Sequence, residues 1–256
     1  MRAIWKGSVG FGLVNIPVKL YSATQQSSLD LDMVDRRDMG KVRFKRINEN
    51  TGAELTMENI GKAYMYNGGY ILLEEEDFEA AMPEKSKVIL INNFVKEEEI
   101  NTIYFENSYY LEPEKSGERA YALLREAMAK SGKVGLAQFV LRTSETLSVL
   151  KPMNDVLVLS KIRFAEEIRS VEELKLPSHS VVKPDELKMA LSLVNQYTEP
   201  FNIEKYKDEY AAALLKVIEE RASGKKAKIR KLTVTYKNTD NLIDQLKASL
   251  ARKKAS

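Results

Sequence analysis

The side chains that could carry out chemistry in this chain are few, and they lack the neighbours that catalysis requires. The 256 residues contain no cysteine and a single histidine, His179, which excludes disulfides, thiolate metal sites and metal sites built from several histidines. His179 lies in a connection of Pro, Ser and Val residues with no catalytic motif around it. No serine has the G-x-S-x-G spacing of a hydrolase nucleophile. We therefore predict a protein that is not an enzyme and that needs neither a metal ion nor a cofactor.

Two further clusters resemble ligand sites but favour structural interpretations. Gly7, Gly10 and Gly12 lack the G-x-G-x-x-G spacing, and no P-loop lysine follows them, so we interpret them as turn or bulge glycines. The acidic residues Glu74–Asp77 could in principle hold a divalent metal ion. Their clustering is more typical of the start of a helix, where carboxylates interact favourably with the positive end of the helix dipole.

The basic residues are concentrated near the C-terminal end, which points to a polyanionic partner. The whole chain has a net charge of +3, but residues 223–256 contain ten Lys and Arg residues and only two Asp residues. Such a run of like charges resists folding and can neutralise phosphates. We expect this segment to bind nucleic acid. An anionic membrane surface and a role in solubility alone are the alternatives that composition leaves open.

The elements that must position these charges are mostly short strands. Apolar residues dominate residues 3–22 without a helical stripe, and Asn67-Gly68-Gly69 is typical of a hairpin turn. Three further strand candidates cover residues 134–164. One clear helix is predicted from Glu118 to Lys130, with Gly132 ending it. Many short strands with tight turns and one embedded helix predict an antiparallel β-barrel or a closed sheet.

One of the predicted strands has a composition suited to binding. Residues 41–45 alternate with a period of two, so a strand here would place Lys41, Arg43 and Lys45 on one face. Three cations on one face of a strand would form a surface that attracts phosphates.

The pattern changes from strands to helices after Pro177. Pro184 opens a predicted helix that runs to about Tyr197, and a second helix is predicted from about Ile203 to Ala222. The basic segment follows. We therefore predict a β-rich α+β protein, in which an antiparallel β-barrel core is followed by a helical C-terminal arm and a basic tail.

The basic tail ends in a short amphipathic helix predicted over residues 241–251. Its apolar stripe consists of Leu242, Ile243, Leu246 and Leu250. Eleven residues are marginal for an isolated helix in water, so the stripe needs a partner surface. Beyond a flexible linker it suits a docking peptide; packing back on the body of the same chain is the alternative.

The sequence offers nothing that would insert into a membrane. No apolar run approaches the roughly 18 residues that a membrane span needs, and the N-terminal residues lack the continuous apolar region of a signal peptide. We expect a soluble cytoplasmic protein without a membrane partner.

Several short segments have an order and spacing that are specific to one family. The most specific are MRAIWKG at residues 1–7 and FGLVNIPVKLY at residues 11–21. The others are residues 109–113, 120–125, 132–135, 139–142, 204–210 and 241–250. Together they resemble bacterial Ku, the DNA-end-binding family of non-homologous end joining, over nearly the whole chain.

One departure from the family pattern concerns a turn. Many relatives carry a C-x-x-C-G pair where this chain has Asn48-Glu49-Asn50-Thr51-Gly52. With Asn48 and Thr51 in the cysteine positions, a thiolate metal or redox role is absent there. The turn glycine is retained, so we expect the turn to form without the cysteines.

The resemblance implies a homodimer whose barrels and crossed helical arms form a ring around duplex DNA. It divides the chain into a barrel core with a DNA-encircling segment over residues 1–176, a helical arm for dimerisation over residues 177–222, and a basic linker with a short helix over residues 223–256. A ring holds DNA through its phosphates, so binding should be independent of sequence. Because DNA must be threaded through a closed ring, the ring should prefer double-stranded ends.

The resemblance also implies a partner, the ATP-dependent DNA ligase D, which the terminal segment would recruit through Leu242, Ile243, Leu246 and Leu250. The predicted DNA-binding residues are all basic. They are Lys6, Lys19, Lys41, Arg43, Lys45, Arg46, Lys133 and Arg142 in the channel and Lys225, Lys226, Lys228, Arg230 and Lys231 in the tail. The alternative function is that of a general DNA-compacting protein or a protein scaffold with a basic tail.

Overall fold

The chain divides into two compact units in the computed structural model. The first comprises Met1–Gln26 and Leu31–Arg169, and the second comprises Ser27–Asp30 and Ser170–Ser256. The structure describes residues 1–25, 29–81, 87–141, 144–178, 182–224, 243, 245–247 and 249.

Nine strands and two helices make up the described part of the first unit. In chain order they are β1 (Trp5–Phe11), β2 (Val14–Ser22), β3 (Lys62–Tyr66), β4 (Gly69–Leu73), α1 (Glu75–Ala80), β5 (Val88–Lys96), β6 (Phe105–Pro113), α2 (Glu118–Ser131), β7 (Lys133–Leu141), β8 (Ser144–Met153) and β9 (Val156–Ile162). Seven strands close into a barrel in the order β1-β2-β6-β9-β8-β7-β5, and β3 and β4 form a separate hairpin. The predicted barrel core is confirmed.

The barrel is antiparallel at every pair except the one that closes it. Strands β1 and β5 run parallel, from Ser8 opposite Val88 to Gly10 opposite Leu90. A parallel pair requires a long connection. The chain between β2 and β5, residues 23–87, supplies it; we call this segment the excursion.

The barrel interior is filled from alternate strand positions and from one face of α2. Ile16, Val18 and Leu20 of β2 are fully buried, as the period of two in a strand requires. Helix α2 adds Tyr121, Leu124 and Met128 to the same core. Gly132 ends the helix in the left-handed conformation, with φ of 64°, as predicted.

The hydroxyl of Tyr121 joins α2 to two strands at the point where they separate. It donates a hydrogen bond to the carbonyl of Leu111 at 2.8 Å and accepts one from the amide of Leu157 at 2.7 Å. Leu111 and Leu157 are opposite each other in the β6–β9 ladder. Burial raises the pKa of this phenol above its ordinary value of 10.0, so it stays protonated at neutral pH.

The excursion contains the hairpin but not the strand that was predicted at residues 41–45. Asn67 and Gly68 both have positive φ, as a two-residue hairpin loop requires. Lys41 forms only an isolated bridge with Val34. The prediction of a strand with Lys41, Arg43 and Lys45 on one face is therefore wrong, because the alternating segment has no neighbouring strand to pair with.

Side chains hold the other turns of the excursion. The Asn48 side-chain oxygen accepts hydrogen bonds from the amides of Asn50 and Thr51 at 2.9 and 3.1 Å, and Gly52 has φ of 67°. The turn therefore forms without cysteines, as expected. At the start of α1 the amide of Glu74 donates to Asp77 at 2.9 Å, which agrees with the interpretation of this acidic cluster as a helix start.

Two helices of equal length lie within residues 182–224 of the second unit. Helix α3 spans Pro184–Tyr197, as predicted, and α4 spans Glu209–Ala222. The prediction that the second helix begins near Ile203 is wrong: residues Ile203–Lys205 form a 3₁₀ turn. The helix starts later because Asp208 caps it, accepting a hydrogen bond from the amide of Ala211 at 3.0 Å.

Of the predicted terminal helix, the described residues 243, 245–247 and 249 are helical, and the others lie outside the described residues. Among the described residues, no helix combines the length and the apolar character that a membrane crossing demands.

Candidate nucleic-acid interface

Two of the predicted DNA-binding lysines lie side by side on the outer surface of the barrel. Lys6 of β1 is directly opposite Lys19 of β2, and Lys19 is opposite Glu112 of β6. The Lys19 ammonium is 3.9 Å from the Glu112 carboxylate. Like charges that face each other across strands destabilise a sheet, and Glu112 offsets only one of the two. Lys6 is exposed and forms no ion pair with another described residue.

Glu112 is held in place by a tyrosine from the neighbouring strand. The Tyr21 hydroxyl donates a hydrogen bond to its carboxylate at 2.6 Å, and this bond raises the pKa of Tyr21. Lys6, Lys19 and Glu112 therefore form a row across three strands. Its net positive charge lies at β1, where Lys6 has no carboxylate beside it among the described residues.

A second group of cations lies in the excursion. Residues 36–46 contain six Lys and Arg residues and one Asp, and all of these side chains are exposed. Not one described residue between 23 and 81 is buried. The excursion therefore presents its charges to solvent instead of using them to pack against the barrel.

Only some of these cations have a carboxylate partner. Lys41 pairs with Asp32 at 2.7 Å and Lys45 with Glu54 at 2.6 Å. Arg43 and Arg46 form no ion pair with another described residue. Of the four DNA-binding residues predicted in the excursion, these two therefore have guanidinium groups available to bind a phosphate.

Sequence reasoning missed the neighbouring pair Arg36-Arg37. Arg37 is engaged with Asp35, whose carboxylate it contacts at 2.6 Å, and this bond lowers the pKa of Asp35. Arg36 has no such partner among the described residues and joins Arg43 and Arg46 as a free cation. Its position next to the run at 41–46 was the signal in the sequence.

The other predicted residues are elsewhere. Lys133 begins β7 and is opposite Lys96 of β5, a lysine outside the predicted set. Arg142 and the tail residues Lys225, Lys226, Lys228, Arg230 and Lys231 lie outside the described residues, as do Leu242 and Leu250. Ile243 and Leu246 are half-buried on the described part of the terminal helix.

The chemistry available to the excursion and the outer barrel row is electrostatic. In the part of the chain that the structure describes, no group of three or more His, Asp or Glu side chains is arranged to hold a metal ion. Exposed Lys and Arg residues can neutralise phosphates without reading bases. The arrangement therefore fits a surface that binds polyanions independently of sequence.

Comparison with known proteins gives a consistent result. The family model described as the Ku70/Ku80 beta-barrel domain matches residues 10–189. A "Non-homologous end joining protein Ku" from Coxiella burnetii is 39% identical over 249 residues, which are 95% of this chain and 90% of the relative. The protein of the same name from Archaeoglobus fulgidus is 37% identical, with 98% of both chains covered, and that from Cupriavidus necator is 44% identical over 88% of this chain and 68% of its own length. With a barrel of the matching kind and relatives of this similarity along nearly its whole length, the chain belongs to the Ku family.

Proposed function

We propose that this protein binds the ends of double-stranded DNA as a homodimeric ring, without catalysis and without sequence preference, and that it recruits DNA ligase D in non-homologous end joining. The observation that carries the proposal is the excursion: a long segment between two barrel strands in which no described residue is buried and three arginines have no ion-pair partner among the described residues. The relatives' shared name, non-homologous end joining protein Ku, supports the biological setting.

The excursion has the properties of a segment that wraps around DNA. A segment whose described residues are all unburied gains little stability by itself, and contact with a partner would supply the stabilisation that it lacks. Its unpaired cations Arg36, Arg43 and Arg46 are suited to the phosphates of both strands. The row of Lys6 and Lys19 on the barrel adds two further ammonium groups.

Apolar surface on the second unit supports a homodimer. Neither α3 nor α4 has a buried residue. Leu187, Leu191 and Val194, which share one face of α3, are each about half exposed or more. Exposed apolar stripes of this kind mark protein interaction sites, and a second copy of the chain would cover them in the role predicted for the arm.

The proposed contact with the ligase is the terminal helix, where Ile243 and Leu246 occupy the apolar stripe. A short amphipathic helix beyond a basic linker can place such a stripe in a partner's groove. The tail cations Lys225, Lys226, Lys228, Arg230 and Lys231 would keep the linker near DNA.

A ligation assay with a truncated variant tests this function. Purified ligase D joins a linear duplex in the presence of the full chain or of a variant that lacks residues 239–256, and DNA binding is measured in parallel. We expect the full chain to stimulate joining, and the variant to keep its DNA affinity and dimer mass but to lose the stimulation. Undiminished stimulation by the variant would refute the docking role, and no stimulation by the full chain would refute the proposed function.

A further inference from the structure

A long trough runs beside α2 on the surface of the barrel unit. One part of it is a cavity of about 520 Å³ whose lining includes Phe11, Phe94, Leu123 and Ala127. A second cavity, of about 710 Å³, has Lys96, Glu97 and Glu98 in its lining. Ser131 and Lys133 line both cavities, so the two parts adjoin at the end of the helix.

The part next to α2 is apolar and open. Leu124 and Met128 form its buried floor, whereas the side chains of Leu123 and Phe94 are 68% and 39% exposed. Leu123 and Ala127 are one helical turn apart on the same face, and Phe94 comes from β5. Clustered apolar side chains that remain exposed indicate a binding surface.

The other part has two lysines at paired strand positions. Lys96 and Lys133 are direct partners in the β5–β7 ladder, and opposed like charges destabilise a sheet unless an anion lies between them. Lys133 forms no ion pair with another described residue, and Lys96 has only a long contact of 3.8 Å with Glu98. Cations near the C-terminal end of α2 complement its dipole, which accounts for Lys133 but not for Lys96 on β5.

The glutamates of this region differ in how closely they pair with lysines. Glu97 pairs with Lys151 of β8 at 2.6 Å, and Glu98 competes only weakly for Lys96. Lys133, which has no ion-pair partner among the described residues, and Lys96, whose contact with Glu98 is long, are therefore both available to an incoming carboxylate.

We propose that this trough binds an acidic amphipathic segment of a partner protein, whose apolar side chains fill the part beside Leu123 and whose carboxylate lies between Lys96 and Lys133. The proposal goes beyond the DNA-binding function and does not depend on it. A DNA backbone could use the two lysines but has no apolar group for the part lined by Phe11, Phe94 and Ala127.

A binding assay with a defined probe tests the proposal. The probe is a fluorescein-labelled helical peptide with leucines and a phenylalanine on one face and glutamates on the other, followed by anisotropy with the full-length protein. Ala127→Asp and Ala122→Asp make a matched pair, because both alanines are exposed on α2 but only Ala127 lines the trough. We expect Ala127→Asp to weaken binding about tenfold or more and Ala122→Asp to leave it unchanged.

A second pair tests the charged part without touching the apolar part. Lys133→Glu should weaken binding of the glutamate peptide about tenfold, whereas Lys115→Glu, at an exposed site outside the trough, should not. A version of the peptide with glutamines in place of glutamates should bind the unaltered protein about tenfold more weakly. Thermal melting of each variant confirms that it is folded.

Four results of the binding assays would overturn the proposal. They are failure of the glutamate peptide to bind, equal binding of the glutamine peptide, equal effects of the two alanine variants, and displacement of the peptide by duplex DNA. The last result would assign the trough to the DNA surface instead. A change in the mass of the protein in solution on Ala127→Asp would also contradict the proposal, because it would identify a second copy of the chain as the occupant.

Discussion

At the scale of single residues, the cations of the excursion divide into those with a carboxylate partner among the described residues and those without one. Arg43 and Arg46 belong to the second group, so they are the ones that should displace counterions from DNA. Replacing both with Ala should weaken binding to every duplex sequence alike. Each phosphate contact contributes roughly 0.9 to the slope of log affinity against log salt, so the slope should become shallower by about 2 if each arginine contacts one phosphate.

The matched control replaces the two partnered cations. Lys41→Ala with Lys45→Ala removes the same number of charges, but these lysines are already paired with Asp32 and Glu54. The control should therefore change the salt slope by less than the arginine variant does. Equal slopes for the arginine variant and the unaltered protein would remove this part of the excursion from the DNA surface.

The Tyr121 hydroxyl makes a second residue-scale prediction, which concerns stability. Tyr121→Phe leaves the carbonyl of Leu111 and the amide of Leu157 without their shared partner. Leaving buried backbone groups unsatisfied costs on the order of 1–3 kcal/mol. Denaturant unfolding should show this loss, whereas Tyr64→Phe, at a side chain that is 67% exposed, should show almost none. Equal stabilities of the two variants would contradict the bridging role.

The same hydroxyl predicts how stability depends on alkaline pH. Burial raises the pKa of Tyr121 in the folded state above its ordinary value of 10.0, so above that pH the unfolded state releases this proton first. The free energy of unfolding should therefore fall as pH rises from about 10 toward the pKa of the folded state. In Tyr121→Phe this part of the fall should be absent when the two unfolding curves are compared.

At the scale of elements, the helices of the second unit carry apolar faces without a partner among the described residues of that unit. Leu187 and Leu191 are 49% and 53% exposed on α3, one turn apart. Changing both to Asp should leave the barrel unit folded, because neither residue belongs to its core. We expect the variant to lose the homodimer, which light scattering would show as a halved mass.

The control for the arm variant lies on the same helix. Ser192→Asp also places a carboxylate at an exposed position of α3, but it removes no apolar side chain. Its mass should equal that of the unaltered protein. A dimer that survives in the leucine variant would mean that α3 is not the dimer interface, and a monomer in the serine variant would mean that added charge alone breaks it.

At the scale of the whole molecule, local signals in the sequence predicted some elements and could not predict others. Helix α2 could be located because its apolar period ends at Gly132, whose left-handed conformation suits glycine. Helix α3 could be located from Pro184 in its first turn. The prediction of a strand at residues 41–45 was wrong because alternation shows only which side chains a strand would place on one face. Whether a strand forms also depends on a neighbouring strand that the local sequence does not reveal.

The candidate interface shows the same division. The pairing of Lys6 with Lys19 follows from the register of a tight hairpin between two strands that are consecutive in the chain. By contrast, the meeting of Lys96 with Lys133 depends on strands far apart in sequence. The ion pairs that separate Lys41 and Lys45 from Arg43 and Arg46 depend on how the excursion turns back on itself. Composition could name these cations but not tell which were free.

The central claim is that a closed ring must be threaded by a DNA end. The most direct test is binding to a linear duplex and to the same duplex covalently closed into a circle, at equal length and matched salt. The proposed function predicts strong binding to the linear form and little or none to the circle, since a circle offers no end to enter. Equal affinity for the two forms would contradict it and would favour an open surface that binds DNA from the side, as a general DNA-compacting protein does.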